Sequence, residues 1–148
     1  LLAFNAELQK CDANFDVRTD NLLQFLDRIT SDIGSTSDIL RRRIEQGGAT
    51  GIDVRADDRF WFAYGQLYGY YGILSAVRSD FTDVFEQRNL SALWDKLSLN
   101  LRDAIGATPF LTLNASQGSI FKNHLEGIGF DLLNARTNLV EIRDVLDR

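Results

Sequence analysis

Apolar residues recur every three or four positions along almost the whole chain, the spacing that gathers them on one face of an α-helix. Leu1, Phe4, Leu8, Cys11 and Phe15 predict a first helix, with Cys11 as a small core residue. Thr19 and Asp20 are cap-forming types ahead of a second stripe: Leu22, Leu26, Ile29, Ile33, Thr36 and Leu40, with Ile44 one step off register. Thr36 keeps the register through the weak stretch "GSTS" at 34–37, so one long helix is expected, ending near Gln46 before Gly47 and Gly48. Asp57 or Asp58 is the expected cap of a third helix running to about Gln87, where both acids suit the positive helix end. Asn89 is the expected cap of a fourth, with Leu90, Leu93/Trp94, Leu97, Leu101 and Ile105 on one face and Gly106 as its end. A last helix carries Leu125, Ile128, Leu132, Ala135, Leu139, Ile142 and Leu146 in unbroken three-four spacing.

No run alternates at period two for long enough to build a sheet; "FLTL" at 110–113 is at most one short extended piece. The pattern predicts one all-α domain over 1–148. It is an antiparallel bundle of four long helices plus an N-terminal one, with a long loop before the last helix.

The third helix poses a question of its own. From Phe60 to Val77 it carries no charge, nearly the length of a membrane span. Yet it holds four Tyr, Gln66, Ser75 and three Gly, a poor composition for a bilayer centre. At 100° per residue it separates into three stripes. One is Phe60, Tyr64, Leu67, Tyr71, Leu74, Arg78, Phe81 and Phe85; another is Gln66, Tyr70, Ile73, Val77 and Val84. The third is small throughout: Gly65, Gly69, Gly72, Ala76 and Ser79. A helix apolar on all sides is expected to be surrounded by other helices, with the small stripe admitting a neighbouring backbone. Gly69→Leu should then unfold the domain by overpacking.

Composition narrows the possible functions. The net charge of −5 argues against nucleic acid, which needs a concentrated basic face, and against docking on anionic lipid. The basic run Arg41-Arg42-Arg43 stands beside Asp38 and Glu45 and reads as a solvated helix face. One Cys excludes an internal disulfide, and one Cys with one His argues against zinc. No cofactor or metal is expected. No Met is present and the chain begins in mid-pattern, so it is expected to be a fragment of a longer protein.

No strong catalytic signature appears, and the chain is expected not to be an enzyme. Arg78 lies on the aromatic stripe, where a charge is costly unless paired: it makes an ion pair with another helix, snorkels out at the stripe's end, or holds an anion in a cleft. Tyr64, Tyr68, Tyr70 and Tyr71 either line a pocket or send their hydroxyls to the surface or to backbone partners. The 107–124 segment is long for a bundle connection and rich in hydrogen-bonding side chains, among them Asn114, Ser119, Asn123 and His124. Ser119 with His124 makes a nucleophile and base in principle, without an orienting acid nearby in sequence. Three readings follow: a scaffold or protein-docking module; a small-ligand or peptide binder using this loop with Arg78, Asn114, Asn123, His124, Tyr64 and Tyr71; and, weakest, a hydrolase.

The strings "DDRFWFAYGQLYGYYGILSAVRSDF", "LWDKL", "TPFLTLN" and "KNHLEGIGFDLLNARTNLVEIRDVL" resemble the C-terminal half of the bacterial family catalogued as domain of unknown function 2333. The resemblance covers the chain from about Thr19 onward and rests mainly on core-type residues. It implies an envelope-associated protein, inner-membrane anchored by a hydrophobic segment upstream, with this domain soluble and making no membrane contact itself. It implies no activity and no catalytic residues.

Overall fold

The computed structural model describes residues 2–11, 17–46, 54–106 and 124–148. Helix α2 (Thr19–Gln46), α3 (Val54–Asp80), α4 (Thr82–Gln87), α5 (Ser91–Gly106) and α6 (His124–Leu146) form the bundle; α1 (Leu2–Gln9) precedes them. The fold is all-α, with no strand among the described residues.

Helix α6 is the central element, packed against α2, α5 and α3. All seven of its expected stripe positions are buried, and Asn138 with them. Helix α2 lies antiparallel to it: Asp27 pairs with Arg143, while further along Gly34 passes the side chain of Arg136. The absence of a side chain at Gly34 makes room for that guanidinium, whose Nε would stand 3.3 Å from an added Cβ. The stretch 34–37 therefore stays helical. Thr36 is buried and returns its hydroxyl proton to the Asp32 carbonyl at 3.2 Å, which lets a polar residue occupy a core position.

Helix α3 runs antiparallel to α5. Tyr64 donates to the Ile105 carbonyl at 3.0 Å at one end, and Arg78 pairs with Asp95 at the other. Lys96, near the start of α5, meets Glu141, near the end of α6, at 3.1 Å. The core is continuous through all these contacts, with Trp94 fully buried and set edge-on to Phe85 at 4.5 Å between centroids.

Four sequence expectations are corrected. The expected third helix starts earlier, so Asp57 sits inside its first turn rather than at its cap. It is also interrupted at Phe81 (φ −109°, ψ 25°), although backbone bonds from Phe81 to Val77 and from Phe85 to Phe81 carry the chain through. Asn89 ends α4 instead of starting α5. It adopts the left-handed conformation (φ 54°), with its N–H on the Glu86 carbonyl and the Leu90 N–H on Phe85, a paired closure typical of helix C-termini. Cys11 is exposed, because the chain turns there in a left-handed conformation (φ 57°). Leu8, the other described side chain of that stripe, is exposed as well; Leu1, Phe15 and the side chain of Phe4 lie outside the described residues.

The fourth correction concerns α3. Its aromatic stripe faces the core: Phe60, Ala63, Leu67, Leu74 and Phe81 are buried, and Tyr64 and Tyr71 pack against the cluster. The small stripe does not meet another helix. A Cβ at Gly65, Gly69 or Gly72 would touch nothing within 4 Å. Among the described residues, the four other bundle helices cover one side of α3 and leave the opposite side bare.

Candidate functional site

Two surface features stand out. The larger is the bare side of α3, a shallow groove of about 490 Å³ lined by Trp61, Phe62, Gly65, Gln66, Gly69, Tyr70 and Ile73. Its chemistry follows from an unusual sequence. Most helices turn polar away from the core; here Trp61, Phe62, Tyr68 and Ile73 remain 42%, 59%, 63% and 48% exposed. Glycines form the floor between them. Each costs about 1 kcal/mol of helix stability relative to Ala, and nothing inside the bundle requires their lack of a side chain.

The groove is held at both ends. Trp61 donates its indole N–H to Asp57 at 3.1 Å and stands edge-on to Phe60 and Tyr64, each at 5.4 Å. Tyr70 donates its hydroxyl to Asp32 of α2 at 3.2 Å, and Asp32 also accepts from Arg28 at 3.1 Å. Burial raises the Tyr70 pKa above its ordinary value; the Gln66 hydrogen bond works against this, and the Asp32 charge and hydrogen bond add to it. The Gln66 side-chain oxygen is covered and has no hydrogen-bond partner among the described residues.

The second feature is a cleft of about 380 Å³ lined by Ser75, Arg78, Ser79, Thr82, Phe85, Glu86 and Ser91. Its guanidinium is already engaged by Asp95, and Glu86 adds a negative wall. Ser75 donates to the Tyr71 carbonyl at 2.7 Å and Thr82 to that of Ser79 at 2.9 Å, so these hydroxyls are spent on the backbone. An anion entering the cleft would compete with Asp95 for Arg78.

Of the described residues singled out from sequence, Arg78 and His124 do not converge. Arg78 lies beside Asp95 at the start of α5, whereas His124 opens α6 at the other end of the bundle. Seventeen helical residues separate His124 from Glu141, the level of Lys96, a rise of about 25 Å. Tyr64 sits at the Ile105 end, as its hydroxyl contact shows, and Tyr71 is half-buried on the core. Asn114, Ser119 and Asn123, with the rest of 107–123, lie outside the described residues. The groove residues Trp61, Phe62, Gly65, Gly69 and Ile73 were not candidates. The only sequence signal for them is that α3 has more large apolar residues than one buried face can use.

Among the described residues no helix is long and apolar enough to cross a membrane, and no group of three or more His, Cys, Asp or Glu could hold a metal ion. The fold and surface define a class: an all-α bundle with one helix half embedded and half bare. No family model, curated protein or solved structure matches the chain.

Proposed function

We propose that this domain is a non-enzymatic docking module that receives an apolar helix of a protein partner on the bare side of α3. The observation that carries the reading is the pairing of half-exposed Trp61, Phe62 and Ile73 with a glycine floor. Large exposed apolar side chains mark interaction surfaces, and a floor without side chains lets a second backbone approach closely. The bacterial-envelope setting, with an anchor upstream, belongs to the same proposal and comes from the family resemblance described above.

The test is photo-crosslinking in bacterial cells expressing the protein. A photoreactive side chain replacing Ile73 should form a protein adduct of discrete mass, mapped to an apolar helical peptide. The same group replacing Arg102, exposed on α5, should give none. Absence of any protein adduct at position 73 would sink the docking reading.

A further inference from the structure

Resting on that reading, we infer that the helix received by this face is α3 of a second copy of the chain, running antiparallel and crossing at Gly69. The reason lies in the order of sizes along the groove. Phe62 and Ala76 both lie seven residues from Gly69, and Gly65 and Ile73 both lie four from it. A two-fold axis through Gly69 therefore sets Phe62 against the partner's Ala76, Gly65 against the partner's Ile73, and glycine against glycine. Phe62 and Ile73, the two large side chains nearest the line through Gly69, each face a small one, the complementarity that close helix packing needs. A parallel pair would set Phe62 against Phe62 and Ile73 against Ile73, large against large, and hold the facing glycines apart.

Charge points the same way. Arg59 and Asp80 are exposed at opposite ends of α3 and, at 100° per residue, lie on the same flank of the groove. Antiparallel pairing brings each Arg59 to the partner's Asp80, twice by symmetry. A parallel two-fold would instead send the two Arg59 side chains to opposite flanks, away from any acid, and bring Asp80 toward Asp80. One contact opposes the antiparallel register: Asp58 stands as far from Gly69 as Asp80 does and approaches the partner's Asp80 across the centre line. Removing the Asp58 charge should therefore tighten the pair.

The area fits a weak dimer. At about 150–250 Å² per large side chain, the exposed parts of Trp61, Phe62 and Ile73 offer roughly 300 Å² per copy. A pair would bury roughly 600 Å² through them, well below the ~1,200 Å² of standard stable interfaces. Association should be concentration-dependent.

The experiment is sedimentation equilibrium of the purified 148-residue chain, with Cys11, an exposed thiol, replaced by Ser. The mass should rise with concentration toward that of two chains. Gly69→Leu should weaken association about tenfold or more with an unchanged helical spectrum, since the added side chain meets nothing in the monomer. Arg59→Glu should weaken it, and Arg59→Glu with Asp80→Arg should restore it; Asp58→Asn should strengthen it. On oxidation, Phe62→Cys should crosslink with Ala76→Cys rather than with itself.

Three results would overturn the inference. One is a monomer at every concentration, which leaves the docking reading standing if position 73 still forms adducts with other proteins. Another is preferential Phe62→Cys self-crosslinking, the parallel arrangement. The last is absence of the dimer with binding to neutral phosphatidylcholine vesicles that Phe62→Ser abolishes, which would assign the face to lipid.

Discussion

The two faces of α3 are built from similar residues and do opposite things. On one, Phe60, Leu67 and Leu74 are buried in the core of the bundle; on the other, Phe62, Gly69 and Ile73 face outward. Hydrophobicity does not distinguish them, because Phe60 and Phe62 are the same residue two positions apart. Position relative to the neighbouring helices distinguishes them. An apolar residue reports a preference for burial, and this bundle satisfies that preference on only one side. The surplus is what makes the outer face a candidate for function rather than for stability.

The sharpest way to break the comparison is to truncate the inner face. Leu67 is fully buried, so Leu67→Ala should cost about 2–5 kcal/mol of unfolding free energy, read by urea denaturation at low protein concentration. Phe62→Ala, the outward counterpart, should cost a small fraction of that. Equal costs would mean that both faces are buried in the folded chain. Next in size is Tyr64→Phe, which removes the hydroxyl donated to Ile105. A loss of about 0.5–1.5 kcal/mol is expected, the usual net value of one such bond, and a null result would detach the N-terminal half of α3 from the end of α5.

The outer face should respond with the opposite sign. Gly69→Ala should stabilise the monomer by up to about 1 kcal/mol, the helix-propensity difference, because the new methyl meets nothing. Gly69→Leu should leave the fold intact, reversing the expectation drawn from sequence. Unfolding by either substitution would show that the small stripe has a partner inside the bundle after all.

Why sequence misjudged this stripe is instructive. In α6 the apolar positions stand against polar ones, so periodicity alone names Leu125, Leu132, Leu139 and the rest as buried. In α2, Thr36 keeps the register, and the helix passes through 34–37 as expected. Helix α3 offers no such contrast. Periodicity divides it into three stripes but cannot say which faces inward, and the glycine stripe reads as naturally toward a neighbour as away from one. The conformation of Asn89 hid for a related reason: Asn serves both as an N-cap and as a left-handed helix end, and only the bonds to Glu86 and Phe85 decide between them. At the candidate site, the Arg78 charge called for a partner, but its identity, Asp95 on another helix, is a tertiary fact. The reading of Asn114, Ser119 and Asn123 falls outside the described residues.

The smallest effect tests where the two faces meet. Tyr70 stands on that border, half-buried, with its hydroxyl on Asp32. Its pKa lies above the ordinary 10.0, first because of burial, with the Gln66 hydrogen bond opposing and Asp32 reinforcing the shift. The folded chain thus keeps this proton at a pH where the unfolded chain has begun to lose it. The resulting stability is complete below the ordinary value and is lost as pH rises through the folded one. Tyr70→Phe should cost under about 1 kcal/mol at neutral pH, and the gap should narrow as pH rises above the ordinary tyrosine value of 10.0, where wild type alone carries this penalty. Denaturation curves of the two proteins that stay parallel across that range would place the Tyr70 hydroxyl in open solvent and shift the border of the bare face past it.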